Sequence, residues 1–329
     1  MSKDARPLIS IVIPVYNEER NIRRAYDAVK LLFKKIEQDY RLELLFSDNH
    51  SSDRTEAELE MIAQADPVVK VIRLARNYGF QRSVITAYRH VSGNAAIQLD
   101  CDLQDPVDII PEFLRLWKEG HDVVVGIRRQ RKEARLLQSG RKSFYKLVRS
   151  ISDDNIIENA GDFRLVDRKV LDRLAQINDA RPYTRGLVSS LAVKQTGVEY
   201  DREERKFDES KFPLKRLLGF ATDGIVSHSL VPLRLASFTG IFVFFASILM
   251  ALYYVVTYLV FGATWPPGFA TLVVFLLMSV ALNAIFVGIV GEYVGRIYDE
   301  VRVRPVSLIE RSINFSELPE NSVEIHKRS

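Results

Sequence analysis

The feature that most constrains the fold is a charge-free segment near the carboxyl terminus. No charged residue occurs between Arg234 and Glu292, whereas charges are frequent on both sides of this segment. Two long apolar runs fill it, at about 236–261 and 269–291, and a short turn-forming stretch separates them. A helix needs about 20 apolar residues to cross a hydrocarbon core of about 30 Å. The sequence therefore predicts two transmembrane helices within 235–295.

The charges that flank the two runs predict the orientation of this hairpin. Two adjacent spans place both flanks on the same side of a membrane, and the turn between them carries no charge. Basic residues occur on both flanks: Lys211, Lys215, Arg216 and Arg234 before the runs, and Arg296, Arg302 and Arg304 after them. Because basic flanks stay in the cytoplasm, we expect domain 1–211 and the C-terminal tail 296–329 to be cytoplasmic. The alternative is a buried helical hairpin in a soluble protein.

Two further segments have patterns that allow two interpretations each. Segment 212–234 has apolar residues at helical spacing, which is typical of an amphipathic helix lying in a membrane interface or of an ordinary packed surface helix. The stretch 128–149 is rich in Arg and Lys. Since Arg offers bidentate donors to phosphate, this stretch is either a surface for phosphate or anionic lipid, or a solvated helix face.

The composition argues against nucleic-acid binding and excludes an intramolecular disulfide bond. Lys and Arg number 46 against 42 Asp and Glu, an excess too small to indicate a nucleic-acid-binding protein. Cys101 is the only cysteine, so the chain forms no intramolecular disulfide, and a reducing compartment is its natural setting.

The amino-terminal part of the chain alternates apolar runs with amphipathic helical periods. Five runs predict strands: 8–14, 42–46, 68–74, 95–99 and 121–127. Strands that alternate with helices form a mostly parallel sheet covered on both faces. The sequence therefore predicts an α/β, Rossmann-like fold in domain 1–211. In such sheets ligands bind beyond the carboxyl ends of the strands, where the strand order switches.

Polar clusters follow three of these runs. Asp100 and Asp102 follow the fourth run, and an extended chain would point both side chains to the same side. Mg²⁺ prefers carboxylate oxygens and usually keeps phosphate oxygens as further ligands. Asp105 and a proline come next, so the alternative is an acidic loop that caps a helix. Asp48 and residues 14–17 end the second and first runs, at the same predicted edge of the sheet.

The ordered set of these motifs resembles the family 2 glycosyltransferases with a GT-A domain. The motifs are SIVIPVYNEE (10–19), DNHSSDRT (48–55), LARNYG (74–79) and DCDLQDP (100–106). GDFRL (161–165) and the paired apolar runs narrow the resemblance to the polyprenyl-phosphate glycosyltransferases, which include dolichol-phosphate mannose synthase and the bactoprenol glucosyltransferases. Residues 288–298 are similar to the end of the second span in the bactoprenol group.

The resemblance implies an inverting transfer of a hexose, glucose in the first place, from a UDP-sugar to undecaprenyl or another polyprenyl phosphate. The site would face the cytoplasm at the bacterial inner membrane, and the product would serve cell-envelope glycosylation. Other UDP-sugars (N-acetylglucosamine, N-acetylgalactosamine, galactose or amino-arabinose) and GDP-mannose are alternative donors. A polysaccharide synthase is disfavoured because a Gln-x-x-Arg-Trp-type motif is missing, and a non-catalytic scaffold because both acids are retained. A homotetramer is implied by analogy alone.

The resemblance also implies roles for individual residues. Asp102 would bind Mg²⁺ or Mn²⁺ directly, and Asp100 would hold this metal ion through water or position the donor. The ion would neutralise charge on the departing diphosphate. The nucleotide sugar would contact Pro14, Tyr16, Asn17, Glu18, Asp48, Arg76, Asp100, Cys101, Asp102 and Gln104. The acceptor phosphate and the diphosphate would contact Arg128, Arg131, Arg164, Arg205, Ser210 and Lys211.

The candidate catalytic acids are Asp162, Asp105 and Asp100, and the choice of a general base stays open. A phosphate monoester has a second pKa of about 6 and is mostly a dianion at neutral pH, so a strong base is less needed than for a sugar hydroxyl. Asp162 resembles the family's candidate base, or it orients the acceptor and neighbouring cations. Asp105 is a second candidate base, with helix capping as its alternative role.

Overall fold

The computed structural model describes residues 6–129, 160–177, 179, 182–201, 268–301 and 305–315, together with helical positions between 238 and 260. The chain forms two compact units. The first comprises Met1–Ala134, Asp154–Glu209 and Val303–Ser329, and the second comprises Arg135–Asp153 and Ser210–Arg302. The described residues 305–315 thus belong to the first unit, and the domain bounds expected from the sequence (1–211, 212–234, 235–295 and 296–329) stay predictions.

Within the described residues of the first unit, eight strands form one sheet. They are β1 (Leu8–Val15), β2 (Arg41–Asp48), β3 (Val69–Leu74), β4 (Ala95–Gln98), β5 (Val123–Arg128), β6 (Ala160–Asp167), β7 (Gln195–Tyr200) and β8 (Ile309–Ile313). Their order is β7-β5-β6-β4-β1-β2-β3-β8. The pairs β1–β2, β1–β4, β2–β3 and β5–β7 are parallel, and β3–β8, β4–β6 and β5–β6 are antiparallel. The predicted mostly parallel α/β sheet is confirmed.

Helices pack on both faces of this sheet, and the side chains of β1 show why. The helices are α1 (Ile22–Ile36), α2 (Thr55–Ala65), α3 (Phe80–His90), α4 (Ile110–Lys118), α5 (Arg168–Gln176) and α6 (Thr184–Leu191). Ile11 and Ile13 join a buried cluster with residues of α1, α2 and α4, whereas Val12 joins one with residues of α3, α5 and α6. Because neighbouring residues of a strand face opposite sides and both sides are covered by helices, β1 is apolar apart from the buried Ser10.

The strand order places a crevice beside β1. Its neighbours β2 and β4 lie on opposite sides of it, and both run parallel to it. The connections after β1 and after β4 therefore leave the sheet in different directions, and a crevice for ligands opens between them. The clusters that follow these strands in sequence meet at this edge.

In the second unit the structure describes a long apolar helix, α7 (Phe269–Val301). Its Met278–Gly295 stretch is long and apolar enough to cross a membrane, and it is the one such stretch within the described residues. The helix continues past the predicted span end at 291. Of the predicted span 236–261, helical backbone is described at 238–243 and at further positions up to 260. The two-helix hairpin therefore stays a prediction, and the interfacial helix predicted at 212–234 lies outside the described residues.

Candidate active site

A cavity of about 390 Å³ opens at the crevice beside β1. It is lined by residues from four loops: Pro14, Val15, Tyr16 and Glu18 after β1, Asn49 after β2, Asn77, Gly79, Phe80 and Ser83 after β3, and Asp100, Cys101 and Asp102 after β4. Of the residues predicted to contact a nucleotide sugar, this cavity brings together Pro14, Tyr16, Glu18, Asp100, Cys101 and Asp102.

A turn brings Asp100 and Asp102 to the cavity. β4 ends at Gln98, so the two acids lie beyond the strand, and the strand alternation expected from the sequence is not the reason for their convergence. The N–H of Leu103 donates to the carbonyl of Asp100 over 3.2 Å, and the N–H of Gln104 donates to the Asp102 carboxylate over 3.1 Å. Leu103 has a φ of 52°, a strained conformation for a leucine that often marks functional loops.

The carboxylates of this site repel one another, which disfavours the ionised form of Asp100. Burial, together with the charges of Asp105, Asp162 and Asp102, raises the pKa of Asp100 to about 7, and Arg128 opposes this shift. A divalent cation would offset that repulsion. No group of three His, Cys, Asp or Glu side chains able to hold a metal occurs among the described residues. Two carboxylates that share an ion with phosphate oxygens are typical of Mg²⁺ sites, so Asp100 and Asp102 fit Mg²⁺ or Mn²⁺.

Asp105 forms a closed triangle with Arg128 and Tyr200. The Tyr200 hydroxyl donates to Oδ1 of Asp105 over 2.5 Å, and the Arg128 guanidinium lies 3.4 Å from Oδ2 and donates to the Tyr200 oxygen over 3.1 Å. The Asp105 side chain is 0% exposed, and Pro106 is the N-cap of the following 3-10 helix. A Cβ at Gly161 would lie 3.1 Å from Arg128, so the missing side chain leaves room for that guanidinium. Because Asp105 accepts from both Arg128 and Tyr200, it orients the Arg128 guanidinium.

Asp162 lies at the start of β6 and makes a two-pronged ion pair with Arg185 of α6. Arg185 donates through Nε to Oδ1 over 2.8 Å and through Nη2 to Oδ2 over 2.6 Å. Burial acts to raise the pKa of Asp162, but the hydrogen bonds and charge of Arg185, with the charges of Arg164 and Arg128, outweigh it and lower this pKa. Asp162 is therefore an ionised carboxylate, and each of its two oxygens accepts a hydrogen bond from Arg185.

Arg164 is a buried cation near this pair. Its side chain is 2% exposed, lies 4.0 Å from Asp162 and donates to the carbonyl of Gly161 over 2.8 Å. Its Nε is buried without a hydrogen-bond partner. Burial lowers the pKa of Arg164. Of the other residues predicted to bind the acceptor, Arg131, Arg205, Ser210 and Lys211 lie outside the described residues.

The other four residues predicted to contact the donor do not line the cavity, and two of them, Asp48 and Asn17, bond to neighbouring residues of the loops. Asp48 is 1% exposed and does not line the cavity: it accepts from the N–H and hydroxyl of Ser51 and pairs with Arg73 over 2.5 Å. Asn17 accepts from the N–H of Ser52 over 2.8 Å and so joins the first loop to the second. The remaining two lie outside the cavity lining: the Arg76 guanidinium stacks on the ring of Tyr78, and Gln104 is buried.

Several residues of the site escaped the sequence analysis. Asn49 lines the cavity, donates to Asn77 over 2.9 Å and accepts from the N–H of Tyr78 over 2.9 Å. Its position directly after Asp48 was a usable signal. No local sequence signal indicated that Arg185 and Tyr200 belong to the site. Their positions depend on the antiparallel strand β6 and on β7, which the alternation of strands and helices did not predict.

Residues 10–175 match the model of the family described as "Glycosyl transferase family 2". The chain belongs to this family. It is 39% identical to the "Uncharacterized glycosyltransferase YkcC" of Bacillus subtilis (strain 168), over 92% of this chain and 93% of that one. It is 36% identical to the "SfII prophage-derived bactoprenol glucosyl transferase" of Shigella flexneri, over 92% of this chain and 98% of the relative.

A solved structure is more distant. The mannosyltransferase PcManGT of Pyrobaculum calidifontis, in complex with GDP-Man and Mn²⁺, aligns with a TM-score of 0.41 and 16% identity over 89% of this chain and 88% of its own. Family and sequence relatives, rather than this likeness, establish that the protein is a glycosyltransferase. The family resemblance and the activity class expected from the motifs are confirmed.

Proposed function

We propose that this glycosyltransferase moves a hexose, glucose in the first place, from a UDP-sugar to undecaprenyl or another polyprenyl phosphate. The observation that carries the proposal is the convergence of Asp100 and Asp102 with the loops after β1, β2 and β3 around one cavity. The name of the bactoprenol glucosyl transferase relative supports the lipid acceptor, and the apolar helix α7 supports a membrane location.

The donor would occupy this cavity. Tyr16 and Phe80 line it with partly exposed rings, on which a nucleobase can stack. Asp100 and Asp102 would hold Mg²⁺ or Mn²⁺, which when bound would neutralise the charge that develops on the diphosphate. Arg128, held in place by Asp105 and Tyr200, would steady phosphate oxygens. An oxygen of the acceptor phosphate would attack the anomeric carbon while its bond to the diphosphate breaks, which inverts that carbon.

The geometry favours a positioning role for Asp162 over the role of general base. A general base works best when its pKa lies near the operating pH, whereas the pKa of Asp162 is lowered and both its oxygens bond to Arg185. Because the acceptor phosphate is mostly a dianion at about neutral pH, the reaction can proceed without deprotonating it. Asp105, buried and bonded by Tyr200, would likewise serve by orienting Arg128.

The proposal is tested by transfer of radiolabel from UDP-glucose to undecaprenyl phosphate in detergent, with and without EDTA. We expect a lipid-linked product that EDTA abolishes, and a loss of about a hundredfold or more in Asp102→Asn. Asp108→Asn, an exposed acid of the same segment, is the matched control and should retain activity. Near-normal activity of Asp102→Asn would contradict the metal site. Absence of product with UDP-glucose, UDP-galactose, UDP-N-acetylhexosamines, UDP-amino-arabinose and GDP-mannose would refute the function.

We further propose that the protein is integral to the bacterial inner membrane, with the first unit and both termini in the cytoplasm. The positive flanks of the apolar segment support this orientation. In this arrangement the cytoplasm supplies the nucleotide sugar and the membrane supplies the lipid phosphate.

A further inference from the structure

We propose that Arg185 binds the phosphate of the lipid acceptor and that Asp162 is the acid that positions it. This inference rests on the proposed function. It adds Arg185 to the acceptor site, for which the sequence predicted other basic residues. It is carried by the geometry of the Asp162–Arg185 pair and by its place beside the acids of the cavity.

The ion pair leaves part of the Arg185 guanidinium available. Asp162 accepts hydrogen bonds from Nε and Nη2 of Arg185. Both N–H groups of Nη1 therefore remain as donors for a ligand. Within the described residues Arg185 has no further partner, and its side chain is 33% exposed. The planar guanidinium donates through a fixed fork and is suited to phosphate oxygens. A carboxylate that holds one edge of it fixes the direction of the other donors.

The pair is mounted on elements that fix its position. Arg185 is the second residue of α6, and the N–H of the preceding Thr184 donates to the side chain of Gln81 on α3 over 3.0 Å. Asp162 belongs to β6, next to Gly161, which packs against Arg128. Sites held by helices and strands are more exact than sites on loops. Arg185 is therefore fixed at Asp162, and Arg128 lies beside the neighbouring Gly161.

The pair lies close to the acids of the candidate metal site. β4 and β6 pair antiparallel with Gln98 opposite Arg164, so the chain that continues from β4 toward Asp100 lies beside the residues of β6 that precede Arg164, Asp162 among them. The mutual effects of the Asp162, Asp100 and Arg185 charges agree with this placement. A dianionic phosphate that approaches Asp100 and Asp102 needs cations to offset their repulsion. Because Asp162 already balances one positive charge, Arg185 contributes donors and direction more than net charge.

A purely structural ion pair would behave differently from a phosphate-binding one. Loss of a structural pair would lower the stability of the protein and change the KM values of both substrates together. Loss of a phosphate ligand would raise the acceptor KM and leave the donor KM unchanged. It would also reduce the preference for undecaprenyl phosphate over undecaprenol, which has the same chain without the phosphate.

The test compares Arg185→Gln with Arg115→Gln in the full-length protein. Arg115 makes the same two-pronged contact with Glu112 on the exposed face of α4, so its variant controls for loss of an Arg–carboxylate pair. We expect Arg185→Gln to raise the KM for undecaprenyl phosphate about tenfold or more, with the UDP-glucose KM unchanged. It should also lose most of the preference for undecaprenyl phosphate over undecaprenol in a binding assay. If Arg185→Gln does not fold, Arg185→Lys replaces it, since lysine cannot make the fork, and the same changes are expected.

Asp162→Asn supplies a second readout. If Asp162 acts through Arg185, its variant raises the acceptor KM, and the double variant is no worse than Arg185→Gln alone. A large fall in kcat at saturating acceptor in Asp162→Asn, with Arg185→Gln near wild type, would overturn the proposal and identify Asp162 as a base. An unchanged acceptor KM in an active Arg185→Gln enzyme would also overturn it while leaving the proposed function intact. Failure of the wild-type protein to use any lipid phosphate would refute the function itself.

Discussion

Within the described residues of the first unit, four of the six residues with a positive φ lie in the loops around the cavity. Asn17, His50 and Leu103 have φ values of 56°, 64° and 52°, and they follow β1, β2 and β4. Gly79, with a φ of 87°, follows β3. Each of the four loops that line the cavity thus contains one left-handed residue, and three of these residues are not glycine. Such strain persists where the surrounding contacts fix it, and here the Asn17–Ser52 and Asn49–Asn77 bonds do so.

The buried carboxylate of Glu43 shows how one charge supports the sheet. It accepts from Ser10, from the N–H of Ser92 over 2.8 Å and from Lys70 over 2.7 Å. Burial raises its pKa, but these bonds outweigh burial and lower the pKa of Glu43 below its usual value. Glu43→Gln should reduce the unfolding free energy by about 1–3 kcal/mol at neutral pH, because the ionised acceptor of three bonds is lost.

The pH dependence of this effect has a definite sign. A carboxyl group whose pKa is lowered in the folded state contributes stability above its unfolded pKa of about 4.3, and this contribution is lost as the pH falls through the folded value. The difference between wild type and Glu43→Gln should therefore be constant near neutrality and shrink below about pH 4. Unfolding temperatures across this range measure it, with the exposed Glu119→Gln as control. A difference that grows on acidification would contradict the prediction.

At the scale of elements, β8 adds a segment that follows α7 in sequence to the sheet of the first unit. It pairs antiparallel with β3, and Glu310 reaches Arg73, which also holds Asp48. Ile309 is 2% exposed and belongs to the apolar core. Ile309→Ala should lower the unfolding free energy of the first unit by about 2–4 kcal/mol, because it removes buried methyl groups and leaves a cavity.

The measurement is the unfolding temperature of the purified protein in detergent. Val193→Ala is the matched control, since Val193 is 84% exposed and its truncation should change the unfolding temperature little. An Ile309→Ala protein as stable as the control would show that β8 adds nothing to the fold of the first unit.

The elements that the sequence predicted share one property, and so do those it missed. β1 to β5 and the helices between them show local apolar periods, and these periods were sufficient to predict them. β6 inserts antiparallel between β4 and β5, and β8 pairs with β3 across more than 200 residues of sequence. No local period encodes such pairing. Asp100 and Asp102 directly follow an apolar run, so their position at the edge of the sheet could be predicted, whereas no local pattern indicated that Asp162 pairs with Arg185.

At the scale of the whole molecule, the chain joins a polar catalytic unit to an apolar helical unit. Val287 and Val294 in α7 are exposed in the structure, as expected for side chains that face lipid. The first unit exposes few large apolar side chains within its described residues, and among them Tyr16 and Phe80 line the cavity. Within the described residues, exposed large apolar side chains are thus concentrated in the second unit.

The proposed orientation can be tested because the chain has one cysteine, and that cysteine is buried. Cys101 is 4% exposed, and burial together with the charges of Glu18, Asp102 and Asp100 raises the pKa of its thiol. Since the thiolate is the reactive form, the wild-type protein should react little with a membrane-impermeant maleimide. Val193→Cys places a thiol at an exposed position of the first unit that is not part of the cavity lining. We expect its labelling in inside-out inner-membrane vesicles and not in intact cells, whereas labelling confined to intact cells would place the catalytic unit outside the cytoplasm.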